Sequence, residues 1–219
     1  MSTLAFGKMS ASRTMPSLNE FSELEPLRKI LLQESIRFGN FKLASGNVSD
    51  VYVDGKLTTL RADAMPLIGR AFIRKMQSLG WKPESVGGLT VGADPIAFAI
   101  ARESLDLGQR INAFIVRKEP KKHGMQRFIE GMETSEGRNV VIIDDVCTTG
   151  GSTGQAIEKA KAAGMNILGA ICLVDREMGA RDSLRQEHNC PLEYIFTLSD
   201  LRREYDESHA SARPVATSV

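Results

Sequence analysis

The stretch VVIIDDVCTTGGSTGQAIEKAKAAG, Val140 to Gly164, constrains this chain more than any other. Four β-branched residues, Val140 to Ile143, read as a strand covered on both faces. The apolar run ends in two adjacent carboxylates, Asp144 and Asp145, and the chain then passes through hydroxyls and glycines into a helix with Ala156, Ile157 and Ala160 facing one way. Side chains alternate along a strand, so the two acids share a site only if the strand ends there and the backbone bends into the loop. Unpaired and buried they would be costly, so they call for hydroxyl donors, cations or water.

The residues from Thr148 to Thr153 place hydroxyls and two consecutive glycines just ahead of a helix. A helix N-terminus offers backbone N–H groups and partial positive charge, and glycine lets the backbone approach a ligand closely. That is a cradle for an anion, most naturally phosphate. Carboxylates for sugar hydroxyls beside a loop for phosphate describe a phosphorylated sugar. Two other phosphate motifs are excluded: no G-x-x-x-x-G-K-[ST] occurs, since Gly154 is followed by Gln155, and no G-x-G-x-x-G is followed by an acid about 20 residues on. The plainer alternative is a capped turn with Ser152 or Thr153 as N-cap. Cys147 reads as a small buried filler, because no positioned base stands near it.

Along the rest of the chain, apolar strand candidates alternate with amphipathic segments. Ser22 to Glu34 puts Leu24, Leu27, Ile30 and Leu31 on one helical face, and Met65 to Leu79 does the same with Ile68, Ala71, Phe72, Met76 and Leu79, with Gly80 as its stop. Strands are expected at Ser85 to Leu89, Ile111 to Val116, Val140 to Asp144 and Ile167 to Val174, with helices at Pro95 to Ser104 and Thr153 to Ala163. The alternation predicts an α/β domain with a central parallel sheet flanked by helices, its ligand outside the carboxyl ends of the strands. The expected folded unit spans residues 21–205, with mobile segments at 1–20 and 206–219. A net charge of +1 gives no overall attraction to nucleic acid or to a membrane surface. Three scattered cysteines and no apolar run near ~20 residues predict a soluble cytoplasmic protein with reduced thiols.

One basic cluster stands out. In FIVRKEPKKHGMQRFIEG, Phe114 to Gly131, five cationic or titratable residues, Arg117, Lys118, Lys121, Lys122 and His123, fall between Pro120 and Gly124 or just before them. A charge run is usually a solvated face, yet a cationic loop beside a phosphate cradle can stabilise charge on a leaving group.

These segments together resemble a known family. VVIIDDVCTTGGST is similar to the phosphoribosyl pyrophosphate (PRPP) binding motif of the type I phosphoribosyltransferases, and R-K-x-x-K-x-H-G, here Arg117 to Gly124, resembles the catalytic loop of the orotate phosphoribosyltransferases. FKLASGNVSDVYVD resembles that family's S-G-x-x-S-x-x-Y strand, and VDRE its D-R-x-E element. The resemblance implies the type I fold with a small N-terminal hood, and Mg2+-dependent transfer of ribose 5-phosphate from PRPP to N1 of orotate. It further implies a homodimer in which the Arg117 to Gly124 loop reaches the partner subunit's site. PRPP would be bound by Arg117, Lys118, Lys121 and His123, by Asp144 and Asp145, and by Val146, Cys147, Thr148, Thr149, Gly150, Gly151, Ser152 and Thr153. Lys121 would act as general acid or electrostatic stabiliser, and Asp144 and Asp145 would favour the developing ribosyl cation. Orotate would meet Arg176, Thr148 and the strand at Tyr52 and Val53. Mg2+ would arrive on PRPP oxygens, with Asp145 at most a water-mediated contact and no protein cage. The chain departs from many relatives in having Ala44 before Ser45 and Gly46, and Val91 before Gly92, where a lysine is common. The alternatives are transfer to another base, or a PRPP-sensing regulator that does no chemistry.

Overall fold

The computed structural model describes residues 18–42, 48–120 and 128–210. The Ala44 position, Lys121, His123 and Gly124, and residues 1–17 and 211–219 of the two expected mobile ends lie outside the described residues. Helix α1, Leu18–Ile30, runs into a π-helical turn, Leu31–Ser35, which buries Leu27 and Leu31 completely. Strands β1, Ile36–Lys42, and β2, Val48–Val53, follow as an antiparallel pair, the N-terminal hood. A short helix α2, Lys56–Thr59, leads to α3, Met65–Ser78; of its expected apolar face Ile68, Ala71, Phe72 and Met76 are buried, while Leu79 is the half-buried C-cap just past the helix end. Gly80 ends that helix in the left-handed conformation expected of such a stop, with φ +69°.

The main sheet is built from β3, Ser85–Leu89; β4, Asn112–Val116; β5, Ile129–Glu130; β6, Asn139–Cys147; β7, Asn166–Asp175; and β8, Leu192–Thr197. Helices α4, Asp94–Asp106; α5, Gly151–Ala162; α6, Ala180–His188; and α7, Leu198–Ala210 connect and cover them. The strand order is β5-β4-β3-β6-β7-β8, parallel except for β5, which pairs antiparallel with β4. The α/β expectation therefore holds, and α7 carries regular structure past residue 205 to Ala210.

Both faces of the sheet are dry, and β6 shows why four apolar residues stand in a row. Val141 and Ile143 join one core cluster with Phe72, Ile96 and Ile100, while Val140 and Ile142 join the other with Ile157, Ala160 and Leu184. Alternate side chains of one strand thus fill two separate layers. From β3 the chain steps to β4 on one side, and β6 later lies on β3's other side. The crevice between the carboxyl ends of β3 and β6 is the topological switch point, where an open α/β sheet accepts its ligand.

Candidate active site

Strand β6 does not stop at Asp144. It pairs with β7 through Cys147, with Asp144 opposite Cys172, Val146 opposite Val174 and Cys147 opposite Asp175. The longer ladder corrects the expectation that the chain bends between the two acids, and alternation sends them to opposite faces. Asp144 follows Ile142 toward α5, is only 6% exposed, and accepts a 2.7 Å hydrogen bond from Thr153 Oγ1. Burial, with a smaller push from the neighbouring Asp145 charge, lifts its carboxyl to about 7 in spite of the Thr153 bond. Asp145 is half-buried and turns to the other face, into the crevice. There a Cβ on Gly92 would lie 2.4 Å from its Oδ1, and a Cβ on Gly55 2.9 Å from its Oδ2. Only glycine fits at Gly92 without displacing the carboxylate.

The loop beyond β6 also differs from the plain capped turn. The N-cap of α5 is Gly150, at φ +90°, and no side chain caps the helix. Neither Ser152 nor Thr153 acts as N-cap: Ser152 is exposed in the first turn, and the Thr153 hydroxyl is occupied by Asp144. The first amides of α5 have no intrahelical acceptor, and Gly151 opens onto free space with no atom within 4 Å of where a Cβ would stand. Thr149, Gly151 and Ser152 form the exposed rim of this turn, with Thr148 half-buried beside them. Cys147 is 1% exposed, its Sγ 3.0 Å from Thr153 Oγ1, which agrees with its reading as filler. Val146 packs on the first core cluster next to Gly55.

Arg117 and Lys118 leave the end of β4 at the edge of a pocket of about 440 Å3 that they line with Thr90, Ile115, Glu119 and Glu130. The Arg117 guanidinium pairs with Glu130 at 3.4 Å, and its backbone N–H donates to Phe128 O at 2.8 Å. Lys159, which the sequence did not single out, braces this corner from α5. Its Nζ donates to Arg117 O at 3.0 Å and Lys118 O at 2.9 Å, and lies 4.7 Å from the centre of the Phe128 ring.

Arg176 follows β7, and its backbone N–H donates to Cys147 O at 2.8 Å, which ties it to the start of the anion loop. The strand-end ion pair belongs to Asp175 and Arg181, at 2.7 Å, rather than to Arg176. Arg176 Nε is buried with no hydrogen-bond partner among the described residues, a donor that calls for an acceptor from outside the chain. The side chain lines an open pocket of about 510 Å3 with Glu177, Leu198, Ser199 and Arg202. The hood is fastened nearby: Arg202 reaches Asp50 at 2.8 Å and covers the Phe38 ring at 4.6 Å, and Phe38 packs on Tyr205. Tyr52 is 47% exposed and touches Phe41, whereas Val53 is half-buried against the core. The end of β2 therefore approaches Asp145 through Gly55, while the Tyr52 ring remains on the hood surface. Among the described residues no group of three or more His, Cys, Asp or Glu could hold a metal ion, and no helix is long and apolar enough to cross a membrane.

Comparison with known proteins matches residues 62–196 to the phosphoribosyl transferase domain family. The orotate phosphoribosyltransferase of Aquifex aeolicus is 41% identical over 182 residues, covering 82% of this chain and 97% of that protein. The chain belongs to the orotate phosphoribosyltransferase family. The family's enzyme from Mycobacterium avium is likewise 41% identical, over 82% of this chain and 96% of its own length. A crystal structure of the Mycobacterium tuberculosis orotate phosphoribosyltransferase in complex with PRPP superposes with a TM-score of 0.69 at 32% identity, covering 82% of this chain and 99% of that one. The family's fold thus accounts for the switch-point crevice between β3 and β6.

Proposed function

We propose that this chain is an orotate phosphoribosyltransferase, moving ribose 5-phosphate from PRPP to N1 of orotate to give orotidine 5′-monophosphate and pyrophosphate. The bond from C1 of the ribose to the pyrophosphate oxygen breaks, the bond from N1 to C1 forms, and orotate gives up its N1 proton. The observation that supports this best is that strand β6, at the switch point of a chain from this family, carries the half-buried Asp145 carboxylate between Gly55 and Gly92 and runs on directly into the uncapped glycine N-terminus of α5.

The 5-phosphate lies on the amides and hydroxyls of Thr148 to Thr153, where the helix dipole and unsatisfied N–H groups favour an anion. Asp145 offers its carboxylate to the ribose hydroxyls, and its charge favours the cation that develops at C1 as the leaving group departs. Asp144 works from behind the strand by fixing Thr153, and with it the first turn of α5. The backbone at Val146 and Cys147 completes the floor. Arg117, Lys118, Lys121 and His123 neutralise the leaving pyrophosphate, with Lys121 as the proton donor or charge stabiliser. The loop from Arg117 to Gly124 serves the partner subunit's site in a homodimer. Orotate places its carboxylate on Arg176, whose Nε is unsatisfied, with Thr148 and the strand at Tyr52 and Val53 along its edges.

Mg2+ fits as a substrate-borne ion: among the described residues no group of three or more His, Cys, Asp or Glu could cage it, the half-buried carboxylate of Asp145 is suited to a water-mediated contact, and the ion would supply charge neutralisation on the PRPP oxygens. The cellular setting that fits the three free cysteines is the cytoplasm. A steady-state assay with PRPP and Mg2+, following loss of orotate absorbance, tests the reading, with uracil and hypoxanthine run alongside. Consumption of orotate alone is expected. Consumption of another base in its place, or of none, would refute it.

A further inference from the structure

The Asp145 carboxylate is enclosed by two chain segments that reach it through glycine. Gly92 arrives from the loop after β3, and Gly55 from the end of β2; a Cβ at either would stand within 2.9 Å of a carboxylate oxygen. With no side chain possible at the contact, each segment's offering to the crevice comes from the residue next door. On the β3 side that residue is Val91, uncharged and 59% exposed. On the β2 side it is Lys56, whose Nζ stands 2.7 Å from Asp54 Oδ1 and whose side chain is 46% exposed. The Lys56 backbone N–H donates to the same Asp54 oxygen at 3.2 Å, so the turn and the ammonium share one anchor.

An ordinary exposed ion pair of this kind adds little to stability. Its geometry does something else. The tether keeps a cation at the rim of the carboxylate, and an ammonium has three donors, of which Asp54 takes one. The Asp54 bond above all, and the Asp145 charge as a smaller influence, hold Lys56 above the usual lysine range, so it is charged at neutral pH. A carboxylate intended for a sugar that also bears a diphosphate repels that diphosphate. A neighbouring cation with free donors removes the repulsion.

We propose that Lys56 is a substrate-binding residue whose ammonium takes an anionic oxygen of the PRPP diphosphate beside Asp145, supplying from the β2 side the positive charge that Val91 does not supply from the β3 side. This rests on the reading of the crevice as a PRPP site. The test measures PRPP binding by titration calorimetry with Mg2+ present, together with KM for PRPP and for orotate, in wild type, Lys56→Ala and Lys56→Arg. Loss of one charge-assisted contact should weaken PRPP binding and raise its KM roughly 10- to 100-fold in Lys56→Ala. KM for orotate should stay within about twofold, and Lys56→Arg should recover most of the loss, since arginine keeps the charge. A purely structural role would lower thermal stability and affect both substrates alike. Unchanged PRPP binding in a folded Lys56→Ala protein, or equal losses for both substrates, would overturn the assignment. Calorimetry reads it whether or not turnover occurs: a wild type that binds PRPP through Lys56 but turns over no base would refute the transfer reaction while keeping the site.

Discussion

Asp144 makes the sharpest stability prediction. Its carboxyl lies at about 7 in the folded chain against an ordinary 3.8, chiefly because it is buried at 6% exposure. A raised acid means that the folded state binds a proton the unfolded state has released. The stability that Asp144 contributes is therefore fully present below pH ~4, is lost progressively as the pH rises toward ~7, and changes no further above. At about 1.4 kcal/mol per pH unit the full loss is roughly 4 kcal/mol, an order-of-magnitude figure. Asp144→Asn keeps the shape and an oxygen to accept the Thr153 hydroxyl, but has no charge to bury. The variant's own amide leaves an unpaired donor, a constant cost of about 1 kcal/mol that does not vary with pH. The difference in stability, variant minus wild type, should thus climb by roughly 3 kcal/mol between pH 4.5 and pH 8, the first part of the loss having occurred below pH 4.5. For a chain of this length that corresponds to roughly 6 to 12 °C in Tm. Thermal melts followed by circular dichroism without PRPP or Mg2+, at half-unit pH steps, read this directly. A difference that is flat with pH would show that Asp144 is ionised at no special cost, and the argument from burial would fail.

Arg176→Ala should raise KM for orotate by roughly 100-fold through loss of a charge-assisted pair while shifting PRPP binding by less than about threefold; comparable losses for both would remove Arg176 from the pyrimidine site. Lys159→Ala withdraws the donors to the Arg117 and Lys118 carbonyls and should cut kcat by roughly tenfold with a Tm change of only about 2 to 4 °C, measured by steady-state kinetics and melting. Gly92→Ala forces a methyl onto Asp145 Oδ1 and should raise KM for PRPP by tenfold or more, whereas Gly151→Ala, in open space, should leave folding unchanged by circular dichroism. Mixing inactive Lys121→Ala and Asp145→Asn chains should restore about a quarter of wild-type activity if the loop serves the partner subunit, since half the dimers are mixed and each holds one intact site; no recovery after subunit exchange would place each loop in its own site.

Periodicity made much of the fold legible. The helical face from Ile68 to Met76 and the strands Ser85–Leu89 and Val140 to Ile143 are local patterns, and each depends on neighbours only for having both faces covered. The elements that escaped are those whose pattern is weak without partners. Strand β8 and helices α6 and α7 mix polar residues with apolar ones, and α7 gains its place by packing on β8 and clasping Phe38 of the hood. Lys159 and Lys56 were equally silent, as a lone lysine in a sequence has no direction.

By itself the sequence determined the chemistry of the site: two acids, then hydroxyls and glycines ahead of a helix, with a cationic segment and an arginine after a later strand. Those residue types in that order are enough, because charge, hydrogen-bonding capacity and backbone freedom are properties of each residue. Only the tertiary structure decided which acid faces the crevice. The ladder with β7 prolongs β6 past Asp144, so strand alternation turns Asp144 inward to Thr153 and leaves Asp145 to the crevice between Gly55 and Gly92. That outcome depends on hydrogen bonds to a strand more than twenty residues away, and no local reading of VVIIDDVCTTGGST contains it.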